Sequence, residues 1–150
     1  MSLYKKYDED FFMFLEGGFI AINQSDEDSA KKLFAVCSLL QPNNSIIEIG
    51  RGYLLFCQLK LQEAAVIFKK VLDKEPKNEM AKSFLGLTLS WMPSEGAQGE
   101  KLLEEVSHSS DNMIQKLSTT ALDFREKFIK KAPSPASLAT PKKQTKKKEK

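Results

Sequence analysis

The chain has 150 residues, the size of one ordinary domain, and its 41% hydrophobic and 9% aromatic content is enough to bury a core. No run approaches the roughly 18 apolar residues of a membrane helix, and the opening MSLYKKYDED lacks the cationic start and apolar block of a secretion signal, so the expected compartment is the cytoplasm. The formal charge of +3 is uneven: from Ala132 onward six Lys face one Glu, leaving 17 basic and 19 acidic residues in Met1–Lys131, so strong attraction of nucleic acid to the folded part is not expected.

Asp8 to Ile22 reads as a first helix, apolar over most of its circumference through Phe11, Phe12, Phe14, Leu15, Phe19 and Ile22. Such a helix must be covered on more than one side. Asn23 and Gln24 form a hinge, and Ser25 with Asp28 three residues on is a variant of the capping box, opening a helix that carries Ala30, Phe34 and Cys37 to a stop at Pro42. Ser45 to Gln58 and Leu61 to Asp73 form a second pair. Asn78 caps a further helix running to Met92, which Pro93 ends. The segment Pro93 to Gly99, PSEGAQG, is a turn by composition, and Glu100 to Val106 resumes a short helix. After the break SHSSDN, with a cap at Asp111 or Asn112, the residues Met113, Leu117, Ala121, Phe124 and Phe128 recur at spacings of four and three on one continuous face. From Ala132 the sequence APSPASLATPKKQTKKKEK, with three prolines, small residues and lysines, is expected to be disordered.

A repeat runs through these elements. Gly18, Ala30, Phe34 and Pro42 recur 34 positions later as Gly52, Ala64, Phe68 and Pro76, and Gly52 recurs again as Gly86. This period, with small, small, aromatic and proline in that order, resembles the tetratricopeptide repeat, a pair of antiparallel helices that stacks on its neighbours. The glycines are expected where the paired second helix comes close, since a mid-helix glycine costs about 1 kcal/mol against alanine. Phe34 and Phe68, with Cys37 and Val71 beside them, are expected to fill the wedge between successive units. The resemblance covers Phe11 to Ser107, but the third unit is degenerate, with Gln98, Leu102 and Ser110 where Ala, Phe and Pro are expected. It implies an all-α tetratricopeptide-repeat superhelix over residues 1–131, of about three helical hairpins plus a C-terminal capping helix, followed by the basic tail 132–150.

Chemical equipment is sparse. His108 is the one histidine and lies in a polar break, and no HExxH, GxxxxGK, GxSxG or Cys/His cluster is present. Gly17 and Gly18 fall inside a helix and cradle no phosphate, while Glu104 and Glu105 point apart on a helix and form no acid/base pair. Cys37 and Cys57 lack CxxC spacing and are expected to be reduced thiols in the core or groove. The chain reads as non-enzymatic, without cofactor or metal.

In tetratricopeptide stacks the first helix of each pair builds the concave surface. Projection on a 3.6-residue period places Phe12, Leu15, Phe19 and Ile22 there from the first unit, Ile46, Ile49, Tyr53 and Phe56 from the second, and Met80, Leu87 and Trp91 from the third. Many such grooves carry Lys, Arg and Asn to clamp a terminal carboxylate, yet these places are apolar. A strip of this size is to be filled by a partner, by self-association or by the chain's own ends. An amphipathic helix presenting residues at i, i+3, i+4 and i+7 fits it. On the competing reading some of these residues are core, because a face assigned from sequence shifts easily by one position.

The stretches FLEGGFIAINQSDEDSAKKLF and LLEEVSHSSDNMIQKLSTTALDFREKFIKK resemble the needle-subunit chaperones of bacterial type III secretion systems, of chlamydial type. That resemblance implies binding of the needle protein's C-terminal helix, prevention of its premature polymerisation, and a small helical co-chaperone. The contacts it implies are Phe12, Leu15, Phe19, Ile49, Tyr53, Phe56 and Trp91. Three alternatives stay open. A chaperone of translocator subunits would hold an extended peptide in discrete pockets, whereas a helix needs a continuous trough. A homodimer would hide the groove in itself. A generic scaffold acting through its lysine tail would bind phosphates in a salt-dependent way, and deleting Ala132–Lys150 separates it from a chaperone.

Overall fold

Helix starts recur along this chain at the spacing read from its residues. A computed structural model describes residues 5–130, and among these it is helical throughout, with no strand. A 3-10 helix, Lys5–Asp10, leads into α1 (Phe11–Asn23) and α2 (Glu27–Leu40), followed by α3 (Ser45–Cys57) and α4 (Leu61–Lys74). Then come α5 (Glu79–Ser90), α6 (Gly96–Val106), α7 (Asn112–Phe124) and a π-helical segment, Arg125–Lys130. The tail expected at 132–150 falls outside the described residues.

Local chemistry explains the ends. The Asn44 side chain accepts from the Ile46 N–H at 3.1 Å, Asn78 from Ala81 at 2.9 Å, and Asp111 from both Met113 at 2.8 Å and Ile114 at 3.2 Å. Each satisfies first-turn donors that the helix leaves orphaned. The start of α2 corrects the expectation from sequence. Asp26 is the cap, accepting from the Ser29 N–H at 3.0 Å, while Ser25 takes φ 61° in the hinge before it. Its counterpart 34 residues on, Leu59, takes φ 60°. At both hinges a backbone N–H reaches back five residues, Asp26 to the Ala21 carbonyl at 2.8 Å and Lys60 to Leu55 at 2.9 Å, which closes the end of the first helix of the pair.

Packing accounts for the repeat residues. A Cβ on Gly18 would lie 2.6 Å from the Phe34 ring, and one on Gly52 the same distance from Phe68, so each aromatic lies directly on its own hairpin's first helix. Phe34 also reaches the next hairpin, where a Cβ on Gly50 would again be 2.6 Å away, and Phe68 stacks on Phe84 of α5 with centroids 5.7 Å apart. Both rings are fully buried wedges, with Cys37 and Val71 buried in the same clusters. Pro42 and Pro76 stand just past the ends of α2 and α4.

The third hairpin is regular but displaced by one residue. Leu103 and Gly99 take the places expected of Leu102 and Gln98: a Cβ on Gly86 would lie 2.9 Å from Leu103 Cγ and 3.0 Å from the Gly99 carbonyl oxygen. Leu103 is fully buried. The slip arises in the hinge, since α6 starts at Gly96, 35 residues after α4 starts at Leu61 and not 34. The stretch PSEGAQG therefore is not all turn, because Gly96 onward is already helical against α5. Consecutive helices pack side by side through the whole series, and α1 touches α3, α3 touches α5, and α5 touches α7. The last helix thus stands to α5 as α5 stands to α3.

Candidate partner-binding groove

Four helices, α1, α3, α5 and α7, form one wall, and its apolar residues separate into two groups. Leu15 (8% exposed), Ile22 (5%) and Ile49 (1%) are core, which corrects their assignment to the groove. Leu15 and Ile22 share a cluster with Leu54 of α3, and Ile49 with Leu85 and Leu89 of α5. The reason is geometric: each first helix meets its own partner and the next first helix, so the strip left open is narrower than one full face. Phe12 is 71% exposed and Trp91 48%, while Phe19, Ile46, Tyr53, Phe56, Met80 and Leu87 are half-buried.

Aromatic contacts tie these residues across the hairpins. Phe19 lies 6.1 Å from Tyr53, and Tyr53 lies 5.3 Å from Phe84. The Tyr53 hydroxyl donates to Asn23 Oδ1 at 3.1 Å, fixing α3 to the end of α1. Desolvation pushes the Tyr53 phenol above its ordinary value, so it stays neutral. A second series runs Phe56 to Trp91 edge-on at 6.3 Å, Trp91 to Phe124 stacked at 6.0 Å and 5°, and Phe124 to Phe128 at 4.9 Å.

Around the Trp91–Phe124 stack the wall deepens. One cleft of about 300 Å³ is lined by Leu87, Leu117, Ala121 and Ile129 together with the stacked pair. A second, of about 530 Å³, is lined by Met92, Pro93, Phe128 and Ile129 with the same pair. Leu117, Ala121 and Phe124, read from the sequence as the face of a cap, therefore complete the groove. The signal for them was present, since Phe124 follows Trp91 by nearly one repeat.

Among the described residues the only charged side chain lining the two clefts is Arg125, and it is neutralised in place. Its Nη1 donates to the Ser90 carbonyl at 3.1 Å and its Nε to Glu100 Oε2 at 3.4 Å. A Cβ on Gly96 would sit 2.6 Å from the guanidinium, so the absence of a side chain there makes room for it. Lys130 donates to the other oxygen of Glu100. Lys130, and behind it Arg125, hold the Glu100 carboxyl below the usual carboxylate range against the opposing effect of burial. Facing a guest, the clefts offer hydrocarbon and ring surface, which suits apolar side chains and disfavours a phosphate or carboxylate.

Elsewhere the polar residues satisfy one another. Around the α2–α3 loop a depression of about 510 Å³ is lined by Gln41, Asn44, Ser45 and Glu75. There Asn44 donates to Gln41, and Ser45 and Asn78 donate to Glu75, at 2.7–2.9 Å. Cys37 is buried and its thiol is pushed up by desolvation, while Cys57 is exposed on the last turn of α3. Among the described residues no three His, Cys, Asp or Glu are grouped to hold a metal ion, and no helix is long and apolar enough to cross a membrane. Comparison with protein-family models, with curated proteins and with solved structures finds no match.

Proposed function

We propose that this chain is a tetratricopeptide-type binding protein, without catalytic activity, that shelters an apolar segment of another protein against α1, α3, α5 and α7. Following the resemblance of its sequence to type III secretion chaperones, the partner is a needle subunit, held as an amphipathic helix and prevented from polymerising early, with a small helical co-chaperone alongside. The observation that carries the reading is the continuous run of partly exposed rings from Phe56 through Trp91 and Phe124 to Phe128 across three packed helices. Aromatic anchors in partly desolvated clefts are where binding energy concentrates.

Co-expression with candidate small helical proteins, followed by co-purification and calorimetry, tests it. Trp91→Ala is expected to weaken the complex by about 2 kcal/mol or more while the helicity of the free protein is retained. Phe12→Asp probes the far end of the wall in the same way. Ile49→Asp is expected to unfold the chain instead, since that residue is 1% exposed and a buried unpaired charge costs several kcal/mol. Full-affinity binding by Trp91→Ala removes the groove from the account.

A second reading has one observation in its favour. The stacked Trp91 and Phe124 line two adjoining clefts, and paired clefts suit an extended segment with two large apolar residues, the mode expected of a translocator-subunit chaperone. Helicity gained by a bound partner peptide, measured by isotope-edited infrared or NMR shifts, separates the two forms.

A further inference from the structure

The π-helical segment Arg125–Lys130 supplies Ile129 to both clefts and Phe128 to the larger one, yet little apolar burial holds it down. Phe124 is 42% exposed, Phe128 61% and Ile129 40%. It packs on α7, and two of its side chains are tied by hydrogen bonds to α6 and to the end of α5. Arg125 bonds Glu100 and the Ser90 carbonyl, and Lys130 bonds Glu100 again. Gly96 and Glu100, one turn apart on α6, form the seat: the glycine leaves space for the guanidinium and the carboxylate receives both cations. The side chains of Arg125 and Glu100 are only 13% and 24% exposed, so this pairing is better shielded than an ordinary surface ion pair. By contrast, α5 and α6 are joined within their hairpin by backbone-close contacts such as Gly86 on Gly99, which cannot open without separating whole helices.

We infer that Arg125–Lys130 is a hinged wall of the groove, latched to α6 by Glu100, and that releasing the latch opens the clefts beside Trp91. A change from α to π geometry at Arg125 marks the hinge, and such irregular turns recur at functional sites. A partner side chain too large for the closed cleft enters by displacing the wall, and its affinity is set in part by Glu100. This regulation rests on the reading of the groove as a partner site, but the free protein alone tests the hinge.

The full chain holds one tryptophan, Trp91, so its emission reports on the clefts directly. Glu100→Gln is expected to raise acrylamide quenching of Trp91 about twofold and to lower amide-exchange protection in residues 125–130 roughly tenfold, with protection in 79–90 unchanged. Arg125→Lys, which keeps the charge but loses the fork that bridges Glu100 and Ser90, is expected to fall between the two. Unchanged quenching and exchange in Glu100→Gln overturn the inference. So does protection lost equally in α5 and α6, which makes the contact part of the fold. If Glu100→Gln does not fold, Lys130→Gln removes one leg and leaves the seat, and an unaltered exchange rate in 125–130 then overturns it equally. A partner peptide that binds neither wild type nor variant counts against the groove and leaves the hinge standing.

Discussion

Gly17→Ala and Gly99→Ala are expected to change stability in opposite directions, and their signs follow from what a methyl group would meet. Both glycines lie within helices, where alanine is favoured by about 1 kcal/mol. At Gly17 the nearest atom to an added Cβ is Leu33 Cδ1 at 3.4 Å, an ordinary contact with the end of a flexible side chain, so the propensity gain survives. At Gly99 the same atom would lie 2.5 Å from the Ser90 nitrogen, 2.6 Å from the Gly86 carbonyl oxygen and 2.8 Å from Ser90 Oγ. Two of these three are main chain and cannot rotate away, so α5 and α6 must separate. Overpacking costs of about 1–3 kcal/mol apply, and main-chain collisions place this site at the upper end, leaving a net loss of about 2 kcal/mol after the propensity gain. With a urea m-value of about 2 kcal/mol/M, the midpoint falls by roughly 1 M for Gly99→Ala and rises by roughly 0.5 M for Gly17→Ala. Urea unfolding followed by far-UV circular dichroism measures both. A Gly99→Ala protein as stable as wild type refutes the close approach of α5 and α6, and with it the one-residue slip of the third hairpin.

Leu59 is 72% exposed and holds φ 60°, a conformation that costs an L-residue about 1 kcal/mol, so Leu59→Gly is expected to stabilise the chain by about that amount in the same unfolding assay. Cys57 is exposed and Cys37 buried, so iodoacetamide is expected to modify Cys57 alone in the folded protein. A bound partner slows that reaction if the occupied wall extends to α3, and mass spectrometry of the modified peptides reads both effects.

Helix existence and period were legible in this sequence because glycine, alanine, phenylalanine and proline each occupy a place that packing makes intolerant. Ser45 and Asn78 were read correctly as a start and a cap, since short polar side chains before apolar runs have few other uses. The start of α2 was misread because Ser25 and Asp26 are both competent caps, and only the φ of 61° at Ser25 assigns the role to Asp26. The third hairpin was read as degenerate because its hinge is two residues longer and its first helix one residue shorter than in the second hairpin, which starts α6 one residue late and put Leu102 where Leu103 was needed. Its first helical turn, Gly96 to Gly99, has turn composition, and contact with α5 overrides that propensity. Within the groove, period alone could not tell Ile49 from Tyr53, since the choice depends on how closely α3 approaches α5. Arg125 was missed because a charged residue late in an amphipathic helix ordinarily faces water. Its role depends on the gap at Gly96, which is far away in sequence.

Phe34 is held by two glycines, Gly18 behind it and Gly50 ahead, so one ring belongs to two hairpins at once. Cutting away residues 5–44 would leave a ring-sized notch in the side of α3 with nothing to occupy it. The first and second hairpins are therefore expected to melt together, as a single cooperative block, where a looser solenoid would lose its terminal repeat first, and amide exchange in 11–23 against 45–57 measures it.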